Sequence, residues 1–161
     1  MTFEDLLPPV KDLGTDFVTA TSAWRWLVPE SAAPLLITAL GDVFITLDTS
    51  VSFLDTEEGT LEPVARDRQR WKQKLRDPDS VAEWFKPGFV AALKDAGLTL
   101  SAGEVYSPLV PPVIGGSYNP NNYITSQWRA HLHFLGQVHD QVKDMPPGTR
   151  IDRLVFERPR S

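Results

Sequence analysis

Leu35-Leu36-Ile37-Thr38-Ala39-Leu40 and Val43-Phe44-Ile45-Thr46-Leu47-Asp48 are two short apolar runs separated by the turn-forming pair Gly41-Asp42. β-Branched and aromatic residues bounded by turn formers read as strands. Val51-Ser52-Phe53-Leu54-Asp55 alternates like a half-buried strand. Glu57-Glu58-Gly59-Thr60 is a turn, and Thr60-Leu61-Glu62-Pro63-Val64 is the next strand. Pro63 cannot donate to a ladder, so that run belongs at an edge or a strand end. Tight turns between such runs predict an antiparallel meander.

Working outward, Thr2 to Leu7 forms a short capped turn that Pro8-Pro9 stops, and residues 1–20 otherwise read as an extended lead-in. Thr21-Ser22 caps a helix over 23–28 that ends at Pro29. Trp24 and Trp26 cannot share one helix face, so one packs inward and the other is partly exposed. Downstream of the sheet, 65–75 is a charged helix with Trp71 and Leu75 on one face. Asp77-Pro78-Asp79-Ser80 starts another, with Val81, Trp84, Phe85, Phe89, Ala92, Leu93 and Ala96 at helical spacing. Pro87-Gly88 splits or kinks it near 86–89, and Gly97 caps its end. Residues 98–107 hold a loop and a short strand, and 108–122 form a turn-dense loop that also contains Leu109, Val110, Val113, Ile114 and Tyr118. A strand starts at Tyr123, a helix spans 133–144, and a final strand covers 151–156. The whole is a single α+β domain over 1–161: an antiparallel β-sheet meander with helices packed mainly on one side.

The composition fits that reading. A chain of 161 residues, 42% hydrophobic and 23% charged, is the size and make-up of one globular domain, not a disordered or collagen-like chain. With no cysteine, disulfides, thiolate catalysis and Cys-ligated metals are excluded. The net charge of −5 argues against a general nucleic-acid binder. Residues 1–65 hold 11 acids and two bases, a net of −9, whereas 66–161 hold 10 acids and 14 bases, a net of +4. An acidic surface of this kind attracts basic proteins and speeds their encounter. No positive n-region and apolar h-region open the sequence, and the longest apolar stretch, 32–40, is far short of the ~20 residues that span a bilayer. The expected compartment is the cytoplasm.

Catalytic constellations are absent. His133 and His139 lie six apart, about 240° around a helix, and His131 and His133 have no evident third ligand, so no metal and no cofactor are expected. Gly115-Gly116-Ser117-Tyr118 lacks the lysine and the following helix of a phosphate loop, and reads as a tight turn. No Gly-x-Ser-x-Gly nucleophile motif occurs. Glu57-Glu58 and Asp77-x-Asp79 sit in polar turns that offer no burial to raise a pKa. The tryptophans read chiefly as core.

Three blocks carry a resemblance. The first is Gly41-Asp42-Val43-Phe44 with Leu54-Asp55-Thr56. The second is Tyr106-Ser107-Pro108 with Pro111-Pro112-Val113-Ile114-Gly115-Gly116-Ser117-Tyr118. The third is His131, His133, Gly136-Gln137-Val138-His139 and Gln141, closing on Pro146, Gly148 and Thr149. Their order and spacing over about 24–151 resemble a bacterial domain family of type VI secretion immunity proteins, a domain that often follows a GAD-like domain. This chain has no room ahead of residue 20 for that companion, so its role is not carried over.

The resemblance implies a cytoplasmic, non-catalytic immunity protein that binds a cognate antibacterial effector one to one. In the family's characterised branch that effector is a DNase. The motif residues Gly41, Asp42, Tyr106, Gly115, Gly116, Tyr118, Gly136 and His139 read as scaffold, not contact surface. Charge instead nominates Asp48, Asp55, Glu57, Glu58 and Glu62, which could occupy a cationic nuclease groove as a phosphate mimic; binding beside the active site or deforming the toxin stays open. The alternatives are a regulatory or scaffolding module with no toxin partner, and a small hydrolase built on Gly115-Gly116 and the histidines.

Overall fold

The computed structural model describes residues 2–151 and 153–156. The strands are β1 (Ala33–Ile37), β2 (Val43–Leu47), β3 (Ser50–Asp55), β4 (Thr60–Ala65), β5 (Glu104–Pro108) and β6 (Tyr123–Gln127). The α-helices are α1 (Phe17–Ala20), α2 (Arg68–Lys74), α3 (Pro78–Phe85), α4 (Pro87–Asp95) and α5 (Trp128–Val142). β1 to β4 form an antiparallel sheet in sequence order, and β5 and β6 form a separate antiparallel hairpin. This is the expected α+β meander.

The sheet separates two apolar layers because its side chains alternate. Phe44, Val51 and Phe53 face Trp71 of α2, Trp84 and Phe85 of α3, and Val90 and Leu93 of α4. Val43, Ile45 and Leu54 face Trp24, Trp128, Leu132 and Leu135 on the other side. The register pairs Phe44 with Phe53 and Val43 with Leu54, so each face is built from directly opposed residues. Three helices share the Phe44 face, and the long α5 closes the opposite one. Pro34 and Pro63 sit on β1 and β4, the two edges, where a missing N–H costs no ladder bond.

Asp67 and Asp77 cap α2 and α3 by accepting the N–H of Arg70 and Ser80. The break expected at 86–89 falls at Lys86, which turns left-handed (φ 48°, ψ 59°) between α3 and α4, with Pro87 opening the second helix.

Four expectations change. Residues 17–20 are not extended: Phe17 is buried and starts α1, and the helix expected over 23–28 shrinks to a 3-10 turn at Ser22–Trp24. Trp24 packs fully inside, its indole N–H donating to the Leu132 carbonyl at 2.7 Å, while Trp26 is half-buried and stacks on it. α5 begins at Trp128, not at 133, so His131 lies on the helix and not on a strand. The final strand over 151–156 is not formed at its described residues, and Asp152 lies outside them. Among the described residues, no helix is long and apolar enough to cross a membrane.

Candidate functional site

The turn joining β1 to β2 puts Gly41 in the left-handed region (φ 82°) and swings Asp42 into the interior. Asp42 Oδ1 accepts the backbone N–H and the hydroxyl of Thr56, both at 2.8 Å. Thr56 Oγ1 lies 3.1 Å from His131 Nε2, and His131 Nδ1 lies 2.8 Å from Ser107 Oγ. Thr56 has one hydroxyl proton and gives it to Asp42. His131 Nε2 therefore donates to Thr56, and Ser107 donates to Nδ1, which fixes a neutral imidazole. Burial holds the His131 pKa down at about 3. His139 Nε2 donates to the Thr56 carbonyl at 2.8 Å, and burial lowers that imidazole too.

Blocks far apart in sequence meet here: Gly41-Asp42, Thr56, Ser107, His131 and His139. An Asp–Thr–His–Ser line can suggest catalysis, but His131 is 1% exposed and Ser107 3%, so substrate does not reach it. The line is a brace between the sheet, the hairpin and α5. A hydrolase built on the histidines would need a pocket that brings His131 and His133 to a carboxylate such as Glu104, and His131 is buried. The cleft lined by His133 runs along Gln137 and Asp140, and Glu104 Oε1 accepts the Ser101 N–H.

Beside the brace sits a charged layer. Glu57 is 2% exposed; its Oε1 accepts the Tyr123 hydroxyl at 2.7 Å and its Oε2 lies 3.8 Å from Lys86 Nζ. Burial raises the Glu57 carboxyl against the opposing effects of Tyr123 and Lys86. Desolvation pushes Asp42 well above the carboxylate range, with Asp55 and Glu57 adding to it. For Lys86, burial alone would lower the pKa, but Asp42, Glu57, Asp55 and Glu58 outweigh it and raise it.

Asp42 supplies a pH prediction. Its folded pKa lies above the unfolded value, so the native state keeps a proton that the unfolded state has lost. Wild-type stability from this group therefore falls as pH rises above the ordinary carboxylate range. Asp42→Asn keeps the Oδ1 acceptor and has no proton to lose. Its stability relative to wild type should rise in urea unfolding as pH increases above the ordinary carboxylate range. A difference that does not change with pH would refute this reading.

The nominated contact residues divide. Asp55, Glu58 and Glu62 line one groove of about 240 Å³ together with Glu83 of α3, over a floor that includes Phe53 and Trp84. No lysine or arginine is among the lining residues. Asp55 also shapes the turn, accepting the N–H of Glu57 and of Glu58 at 3.0 Å. Glu57 does not belong to this surface: its neighbour faces the groove while its own carboxylate is drawn inward by Tyr123 and Lys86. Asp48 is exposed at the opposite end of β3, roughly 20 Å away at about 3.4 Å per residue. Nothing in the sequence nominates Glu83; only the docking of α3 against the β3–β4 hairpin brings it in.

The scaffold residues have specific duties. Tyr106 donates its hydroxyl to the Leu98 carbonyl and its N–H to Ala39. Gly136 lets α5 approach the 3-10 turn, since a Cβ there would sit 2.8 Å from Ala23 Cβ and Trp24 Cδ1. At Gly116 a Cβ would fall 1.6 Å from the Val110 carbonyl oxygen, so the 109–122 loop closes only on glycine. Gly115 is left-handed (φ 100°) with open space around it, and Tyr118 is half exposed.

Residues 65–139 match the family model described as T6SS immunity protein Tdi1, C-terminal. The matched stretch runs from the last residue of β4 to His139 in α5, and so contains Tyr106, Gly115, Gly116, Tyr118, His131 and Gly136. Gly41, Asp42 and Thr56 precede it. No curated protein matches the chain.

Proposed function

We propose that this chain neutralises its cognate antibacterial effector, a DNase, by binding it one to one in the cytoplasm and occluding its DNA-binding groove, a reading supported by the match of residues 65–139 to a type VI secretion immunity family model. The family match carries the immunity role. The acidic groove supports the nuclease reading: a protein that grips DNA presents cations to phosphate, and Asp55, Glu58, Glu62 and Glu83 offer carboxylates in their place. The Asp42–Thr56–His131–Ser107 line is sealed, which favours a binding role over turnover.

The test is a titration of the effector's DNA cleavage with this chain. Cleavage should fall linearly and stop at one equivalent. Reversing Glu58, Glu62 and Glu83 to Lys should slow association about 10-fold at low salt and flatten its salt dependence, because rim charges act chiefly on the on-rate. Glu57 is left out of that set, since reversing a buried acid tests folding. Undiminished cleavage in excess folded chain would refute the proposal; protection of cells from an effector that cuts no DNA would refute the DNase assignment alone.

A further inference from the structure

From Val105 to Trp128 no residue carries a charged side chain. The middle of this run is the 109–122 loop, and it displays Leu109 (53% exposed), Val110 (45%), Val113 (43%) and Tyr118 (51%), with Ile124 (42%) beside it on β6. Scattered exposed apolar residues are ordinary, whereas several on one loop mark an interaction surface.

The loop is held rigid. Asn122 accepts the Val110 N–H at 3.1 Å, and its amide nitrogen donates to the carbonyls of Val110 and Ser117, both at 2.9 Å. Gly116 closes against Val110, and Pro111 and Pro112 restrict the approach. A surface fixed before binding loses little conformational entropy when it docks. The loop also adjoins the acidic groove: the Tyr118 hydroxyl donates to Glu58 Oε1 at 3.4 Å, its ring packs edge-on against Phe89, and Glu58 lines that groove.

We propose that the 109–118 loop is the apolar centre of the effector-binding face and that the neighbouring groove is its acidic rim. This rests on the immunity reading above. The occupant is the effector, at a site where an apolar patch is bordered by lysine or arginine. An uncharged centre with an acidic flank complements that arrangement: the apolar part holds the complex and the rim steers it. Tyr118 joins the two halves, as an aromatic with a polar tip suits a hot spot.

The experiment is calorimetric titration with the effector carrying an inactivated catalytic site. Leu109→Asp with Val113→Asp should weaken binding at least about 100-fold, and Tyr118→Ala at least about 10-fold, with unfolding midpoints unchanged. Asn122→Ala, which loosens the loop and removes no contact side chain, should weaken binding by a smaller factor. Val18→Asp, at an exposed apolar residue beside α5, should bind like wild type. Wild-type binding that the double variant retains would overturn the loop assignment and leave the immunity reading standing. No binding by wild type would overturn both. A dimer of the free chain that the double variant abolishes would make a second copy the occupant, and would also overturn the proposal.

Discussion

Gly41→Ala is expected to destabilise the fold by at least about 3 kcal/mol, more than any surface substitution in the chain. Two effects combine. A residue at φ 82° loses about 1 kcal/mol or more when it gains a side chain. The new Cβ would also lie 2.2 Å from His131 Nε2 and 2.3 Å from Cδ2. His131 cannot step aside. It is buried, and its two ring nitrogens are committed to Thr56 and Ser107. Moving it would leave Thr56 and Ser107 with buried polar atoms unpaired, at about 1–3 kcal/mol each. Gly115→Ala is the matched control, because it has a left-handed backbone too but nothing within 4 Å. It should lose only the backbone part, about 1 kcal/mol. Equal urea midpoints for the two variants would contradict the brace.

Phe44→Ala is expected to cost about 3–5 kcal/mol, the range for a buried aromatic cut to a methyl. Phe44 has no exposed surface and lies on β2 at the middle of the sheet. Its ring centroid is 4.7 Å from Phe53, 5.1 Å from Trp84, 5.3 Å from Trp71 and 5.9 Å from Phe85. These neighbours come from β3, α2 and α3, so no single element can move to fill the gap. The fluorescence of Trp71 and Trp84 should shift with the loss of packing. A cost under about 1.5 kcal/mol would mean that the layer collapses freely and is not tightly packed.

The sheet is readable in the sequence because its short β-branched and aromatic runs are set off by turn formers, and because Pro63 can sit only where no donor is needed; the half-buried alternation expected over Val51 to Asp55 is not found, since Val51 to Leu54 are all buried between two apolar layers. The helix break was readable for the same kind of reason: Pro87 forbids a continuous α-helix and forces Lys86 out of it. The early start of α5 was not readable. Gln127 caps it without a side-chain hydrogen bond, so no local signal separates it from β6. Burial of Glu57 was hidden for a different reason. Its partner Tyr123 lies 66 residues away, and the turn Glu57-Glu58 looks fully polar in isolation. The acidic groove was half visible, since Asp55, Glu58 and Glu62 share a hairpin, while Glu83 arrives only through tertiary packing.

The family blocks divide in the same way. Glycine, histidine and tyrosine at fixed spacing carry the resemblance, and the structure gives those residues packing duties: Gly41 clears space for His131, and Gly136 clears space for Trp24. Such residues identify the scaffold. The contact surface proposed above is made instead of residues that are exposed, apolar or acidic.

We propose that this chain protects its own cell by binding one effector. The most direct measurement is the growth of bacteria expressing that effector in the cytoplasm, with and without this chain. Growth should be restored by the wild type at expression equal to the effector's, and lost again with Leu109→Asp and Val113→Asp together. Growth arrest that persists beside abundant, folded wild-type chain would contradict the account.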